Sequence, residues 1–230
     1  MTFVIAHRGA PSPGVAENSA AALEGAIAAG ADMVEIDVRR SSDGRLVLLH
    51  DRVIGGLQVR RSTLAALQDA AGHELMELAA AAELTAGRAG LDVELKEAGL
   101  EEDALAALGP LLNAPAATEA PALIVTSFLD GVLRRFSRVA PSIPTGLLLA
   151  RAGRRLPLRR LALCGATYVL PPARSLRSGA LDSAAEAERP AIPWTLNSEE
   201  QLRAALTHPA ATGLVTDDPR LAVSLKARGV

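Results

Sequence analysis

Short apolar runs alternate with longer amphipathic stretches along nearly the whole chain, and that alternation predicts a repeating β/α architecture. Residues 3–6 form a compact apolar run closed by His7-Arg8-Gly9 and a Pro- and Gly-rich loop over 10–16, the pattern of a buried strand and its exit. An Ala-rich helix should follow to about Ala29, with Asn18 as its cap and Gly30 as its stop. Residues 33–39 read as the second strand, Asp43-Gly44 as a turn, and 46–49 as an extension of that strand that delivers His50-Asp51. Between Arg52 and Gly90 a loop and helical turns are expected, with Ser62 and Thr63 opening one helix, Leu75, Leu78 and Ala82 lining another, and His73 within a helix.

From Leu91 the period becomes regular. Strands are expected over 91–96, 122–126, 145–149, 167–170, 191–196 and 213–216, and helices over 100–112, 129–139, 155–163, 175–187, 199–206 and 219–227. Such spacing implies parallel strands with right-handed crossovers. Eight strands in 230 residues suit a closed (β/α)8 TIM barrel, which typically takes about 250, better than an open doubly wound sheet. No linker divides the chain, so 1–230 reads as one domain, and no Gly-x-Gly-x-x-Gly or phosphate-loop signature is present.

Within two strands the pattern carries chemistry. In Val34-Glu35-Ile36-Asp37-Val38 the period of two puts both acids on one face and the aliphatic residues on the other. Asp92, Glu94 and Lys96 likewise share a face, which in a helix-covered parallel barrel must point into the mouth. Adjacent carboxylates resist ionisation unless a cation lies between them, and hard oxygen ligands suit Mg2+ or Ca2+. Groups at the C-terminal strand ends of a barrel converge, so His7, Glu35, Asp37, His50 and Glu94 are candidates for one site. Arg8 and Lys96 add positive charge there, and Lys96 is one of only two lysines in an arginine-rich chain. Cation, acids and two histidines together fit phosphoryl chemistry with general acid and base catalysis.

Composition narrows the rest. A net charge of -2 gives no general attraction to nucleic acid or anionic membrane, and 49% hydrophobic with 22% charged residues is globular. The longest apolar runs fall far short of a bilayer span and no leader pattern opens the chain, so a soluble, cytoplasmic protein is expected. The lone Cys164 permits no internal disulfide or thiolate cluster and reads as a buried thiol. The arginines at 151, 154, 155, 159 and 160 read as a solvated helix face, and Asp217 or Asp218 as the cap of the final helix.

Read in order, His7-Arg8-Gly9, Glu17-Asn18-Ser19, the run from Gly30 to Val38, Asp43-Gly44 and His50-Asp51 resemble the N-terminal signature of the glycerophosphodiester phosphodiesterase family. Glu94-Leu95-Lys96, Thr126-Ser127-Phe128, Trp194-Thr195-Leu196-Asn197 and Thr216-Asp217-Asp218-Pro219 match that family's later motifs. The resemblance implies a phospholipase C-like (β/α)8 barrel, here with a reduced insertion after the second strand. It implies hydrolysis of a small-molecule glycerophosphodiester to sn-glycerol 3-phosphate and an alcohol, with one divalent cation, Mg2+ or Ca2+. By it, Glu35, Asp37 and Glu94 hold the metal, His7 and His50 serve as general base and acid, and Arg8 and Lys96 hold the phosphate. Glu17 becomes an acid beside the substrate, and Trp194 a wall of its pocket. The rival readings are a lysophospholipase D or phospholipase C-like enzyme on lipids, and a catalytically silent barrel that binds phosphorylated ligands. No nucleic-acid partner or stable membrane association is expected.

Overall fold

The computed structural model describes residues 2–151 and 156–230. Its strands are β1 (Phe3–His7), β2 (Met33–Arg40), β3 (Leu46–Leu48), β4 (Val53–Ile54), β5 (Leu57–Gln58), β6 (Gly90–Leu95), β7 (Leu123–Ser127), β8 (Thr145–Leu148), β9 (Tyr168–Leu170) and β10 (Gly213–Thr216). Its helices are α1 (Ala20–Ala28), α2 (Leu64–Ala71), α3 (Leu78–Thr85), α4 (Glu101–Ala107), α5 (Gly109–Leu112), α6 (Asp130–Val139), α7 (Leu158–Cys164), α8 (Ala180–Glu186), α9 (Glu199–Thr207) and α10 (Pro219–Ala227).

A curved sheet runs β10-β1-β2-β6-β7-β8-β9, each neighbouring pair parallel. The expected strand over 191–196 closes the gap between β9 and β10 as extended chain. Ile192 N–H donates to Val169 O, Trp194 N–H to Pro171 O, Leu196 N–H to Val215 O, and Thr212 N–H back to Ala191 O. Pro190 and Pro193 have no N–H to give, so the ladder there is too interrupted to count as regular strand. The result is a TIM-barrel-like α/β fold.

The barrel interior is stratified. Ile5, Met33, Ile124, Leu148, Leu170, Ile192 and Val215, from every wall segment except β6, fill its lower part as an apolar cluster. Two or four residues further along the same inward-facing parity stand His7, Glu35, Asp37 and Thr126, and Glu94 of β6 lies in register with Asp37, so the change from apolar floor to polar mouth is written into strand periodicity. Outward-facing residues such as Val34, Ile36, Val93, Val125, Leu147 and Leu214 bury against the helices in two further clusters.

Several sequence expectations change. Residues 46–48 do not extend β2; the Asp43-Gly44 turn sends them back antiparallel along it, pairing Val38 with Leu48 and Arg40 with Leu46. That reversal returns His50 to the level of Asp37, whose carbonyl accepts from Leu49 N–H. The helix expected over 100–112 divides into α4 and α5, because Pro110 lacks the N–H that the carbonyl of Ala106 would need. The one over 175–187 divides at Gly179, whose φ of 77° separates a 3-10 turn (Ala173–Ser178) from α8. His73 lies beyond the end of α2 rather than within a helix. The helix expected over 155–163 is found from Leu158; Arg154 and Arg155 lie outside the described residues. Of the remaining cluster, Arg160 is committed to Asp130 at 2.6 Å.

Helix starts are secured locally. Ser19, Thr63, Ser198 and Asp218 each accept from a backbone N–H of the first turn, and Ser198 with Gln201 forms a complete capping box. Gly9 fixes the entry to α1: its φ is 87°, and an added Cβ would stand 2.6 Å from the backbone carbon of Ala22. Gly9→Ala is therefore expected to destabilise the fold by roughly 2–4 kcal/mol, read as a lower urea midpoint at unchanged slope. An unchanged midpoint would mean that the loop shifts freely and does not brace His7-Arg8.

Candidate active site

Strand register builds the acidic cup. His7 lies beside Glu35 across β1 and β2, and Asp37 beside Glu94 across β2 and β6. One carboxylate oxygen from each of Glu35, Asp37 and Glu94 lies within 4.8 Å of the others, and all three residues are buried. Three acids in so small a volume are costly without counter-charge. Lys96 supplies part of it, with Nζ at 2.7 Å from Asp37 Oδ1 and 2.6 Å from Glu94 Oε2. Arg8 supplies more, with Nε 3.1 Å from Asp37 Oδ2 and its backbone N–H donating to Glu35 Oε2 at 3.0 Å.

The charges do not balance evenly. Burial works against the Asp37 carboxylate, but Lys96, Arg8 and the amide of Asn18 overcome it and hold the carboxyl below its ordinary range. Burial raises Glu94 despite Lys96. Glu35 is pushed well up, first by burial and then by Asp37, Glu94 and Asp92 around it. One member of the cup thus lacks a cation, and three hard oxygen donors facing one point fit a divalent ion such as Mg2+ or Ca2+. Deeper in the wall, Asp92 accepts from the Thr126 hydroxyl at 2.8 Å, yet burial lifts its pKa to about 7.

The two histidines flank the cup. His7 Nε2 is 3.9 Å from Glu35 Oε2, while Nδ1 is 2.6 Å from Asp217 Oδ1. Asp217 is itself held, accepting from the Asn197 amide and donating its N–H to Asn197 Oδ1 at 3.0 Å. His50 Nδ1 is 2.8 Å from Asp51 Oδ1, and its carbonyl accepts two hydrogen bonds from Arg39 at 2.9 and 2.7 Å. In each ring one nitrogen is engaged by a carboxylate, an arrangement that orients the imidazole for proton transfer at the other.

His7, Arg8, Glu35, His50, Glu94, Lys96 and Trp194 line one cavity of about 100 Å3, with Phe128, Leu148, Leu170 and Val215 as its apolar side. Trp194 sits edge-on to Phe128 at 5.6 Å and donates its indole N–H to Leu170 O, so it is fixed as a wall. Glu17 stands further out, half-exposed, and forms a two-point ion pair with Arg8 at 2.9 and 3.1 Å.

Three residues near the site carry contacts that the strand pattern did not assign. Asn18 was the expected cap of α1, but Ser19 performs that task. Asn18 instead lies buried with φ 56°, donating to Asp37 Oδ2 at 2.9 Å and accepting from Asp37 N–H at 3.1 Å. Arg8 shares that left-handed backbone, φ 55°, and strain of this kind is held where surrounding contacts over-determine it. Asp217 and Asn197 are the other two; Asp218 caps α10 and frees Asp217 for His7. The available signal was surplus: a helix needs one capping side chain, and both Asn18-Ser19 and Asp217-Asp218 offer two. Asn18→Ala, which leaves the buried Asp37 N–H without its acceptor and removes one of the two donor groups facing Asp37 Oδ2, is expected to cost about 1–3 kcal/mol in denaturant unfolding. A loss below the measurement error would contradict this role.

The Glycerophosphoryl diester phosphodiesterase family model matches residues 7–101, the segment containing His7, both acids of β2, His50 and Glu94. A Mycobacterium tuberculosis protein named "Probable glycerophosphodiester phosphodiesterase 1" is 32% identical over 231 residues, covering 87% of this chain and 84% of its own. A Caldanaerobacter subterraneus protein named "Glycerophosphodiester phosphodiesterase" is 29% identical, with 99% of each chain covered. The crystal structure of a Thermotoga maritima glycerophosphodiester phosphodiesterase superposes with a TM-score of 0.76 at 26% identity over 98% of both chains. The sequence match spans the barrel from end to end, and this chain belongs to the glycerophosphoryl diester phosphodiesterase family.

Proposed function

We propose that this chain, acting as one barrel domain over 1–230, hydrolyses glycerophosphodiesters to sn-glycerol 3-phosphate and an alcohol. The observation that carries the reading is the meeting of the Glu35, Asp37 and Glu94 oxygens within 4.8 Å, beside a cavity that Glu35, Glu94, His7 and His50 line. The three carboxylates would hold one divalent cation, Mg2+ or Ca2+. When bound, that ion supplies Lewis-acid stabilisation of charge on the phosphate oxygens. Lys96 and Arg8 lie where they can neutralise the remaining phosphate charge. His7 and His50 exchange protons with the attacking oxygen and the departing alkoxide, their second nitrogens held by Asp217 and Asp51. Trp194 and Phe128 shield one side of the substrate from water.

The test is turnover of sn-glycero-3-phosphocholine with Mg2+ or Ca2+, with and without chelator. Hydrolysis abolished by chelator and in His7→Ala and His50→Ala supports the reading; undiminished hydrolysis by both variants overturns it. Metal binding has its own readout. At a hundredfold excess over Kd a single bound ion adds about 2.7 kcal/mol to stability, so the unfolding midpoint should rise on adding the ion. Asp37→Asn and Glu94→Gln are expected to remove that rise. Among the described residues no helix is long and apolar enough to cross a membrane.

A further inference from the structure

A second pocket, of about 490 Å3, opens beside the acidic cup and shares Lys96 with it. Arg39, Arg52 and Arg60 line it, and Glu97 is its one acid. The hairpin β4–β5 and the turn Val59–Arg61 form its outer wall, within the shortened segment after β2. Arg39 is only 7% exposed and spends Nε and Nη2 on the His50 carbonyl. Burial and the neighbouring Arg52 both work against its charge, with Glu97 opposing them. Glu97 in turn accepts from Arg40 N–H. Among the described residues the ion pairs engage other arginines, and none joins a carboxylate to Arg39, Arg52 or Arg60. Three guanidinium groups thus face one cavity whose lining holds a single acid, an excess of positive charge that favours an anion.

The reaction cavity, about 100 Å3, is small beside the few hundred Å3 usual for ligand pockets, so a diester seated on the cup must extend one of its ester groups elsewhere. Lys96 lines both cavities, which places the arginine pocket next to the cup. We propose that this pocket receives the leaving alcohol and selects alcohols that carry a phosphomonoester, whose dianion Arg39, Arg52 and Arg60 bind. The inference rests on the diesterase reading above. Guanidinium forks match phosphate oxygens in two-point contacts, which a choline or unsubstituted polyol cannot offer. Arg39 also ties occupancy to catalysis, since the same guanidinium holds the backbone of His50.

The experiment compares glycerophosphoinositol with glycerophosphoinositol 4-phosphate, which share an alcohol and differ by one phosphate. Charge-assisted contacts of this kind should give the phosphorylated diester about a tenfold or greater advantage in kcat/KM, expressed mainly in KM. Arg52→Ala and Arg60→Ala should each shrink that ratio, and the double variant should bring it to near unity. Equal kcat/KM for both diesters, or a ratio unmoved by the double variant, overturns the proposal. Calorimetric titration with inositol 4-phosphate separates the two readings. Binding that the double variant loses, in a chain that hydrolyses neither diester, leaves the pocket standing and removes the reaction. Hydrolysis of both diesters at equal kcat/KM, without arginine-dependent binding, leaves the reaction and removes the pocket.

Discussion

His7→Ala is expected to lower kcat on sn-glycero-3-phosphocholine by about 10²–10⁴-fold, and His50→Ala by a similar factor. Each imidazole has one nitrogen engaged by a carboxylate, Asp217 for His7 and Asp51 for His50, and in the proposed mechanism the other exchanges a proton with the substrate. No other described histidine lines the cavity to take over, and Lys96 is occupied by Asp37 and Glu94. The double variant should fall little below the worse single one, because groups that act on one transition state do not contribute additively. A nitrophenyl diester, whose leaving group departs without protonation, assigns the roles: the histidine whose loss is forgiven on that substrate is the acid. The rise in unfolding midpoint on adding Mg2+ or Ca2+ should persist in both variants, which distinguishes lost proton transfer from a lost metal cup. A kcat within tenfold of the parent in both would remove the histidines from the mechanism.

The second large effect concerns stability. Asp92 has its pKa raised by burial from 3.8 to about 7, against the opposing hydrogen bond from Thr126. The unfolded carboxyl releases its proton near the ordinary value while the folded one keeps it. Through the window from about pH 4 to 7 the native chain therefore binds the extra proton, and stability must fall as pH rises. At one pKa unit per 1.36 kcal/mol, the loss across that window is about 4 kcal/mol, and above it the curve flattens. Asp92→Asn keeps the shape and can still accept from Thr126, but has nothing to ionise. Urea unfolding of the metal-free chains at a series of pH values should show the variant gaining on the parent by about 4 kcal/mol between pH 4 and 8. Parallel curves would show that water or a shift of Lys96 compensates the charge.

Much of this was written along the chain because period-two alternation does two jobs at once. Met33, Glu35 and Asp37 occupy successive inward positions of one strand, so the pattern that buries Met33 in the floor also delivers the acids to the mouth. The same logic placed Glu94 and Lys96, and strand exits placed His7 and His50. The sites that escaped the pattern involve groups that meet only across the closed barrel. Asp217 lies 210 positions from His7, and nothing local to a Thr-Asp-Asp-Pro run says which acid caps the helix and which turns inward. Asn18 looked like a cap because its neighbour has the same chemistry; the left-handed backbone that aims it at Asp37 depends on Gly9 packing on α1 and on β2 lying alongside.

By itself the sequence determined the strand and helix alternation, the barrel class, the acid cup and the histidine pair, because each follows from side-chain period and local turn chemistry. The tertiary structure alone decided the reversal of β3 that brings His50 level with Asp37, the bridging of β9 and β10 by a proline-interrupted segment, and the coupling of Asp217 and Asn197 to His7. It also decided how three buried acids share two cations, which leaves Glu35 and Glu94 raised while Asp37 is lowered, and how burial raises the neighbouring Asp92. Those outcomes depend on distances between residues far apart in the chain and on exclusion of water, and both exist only once the barrel has closed.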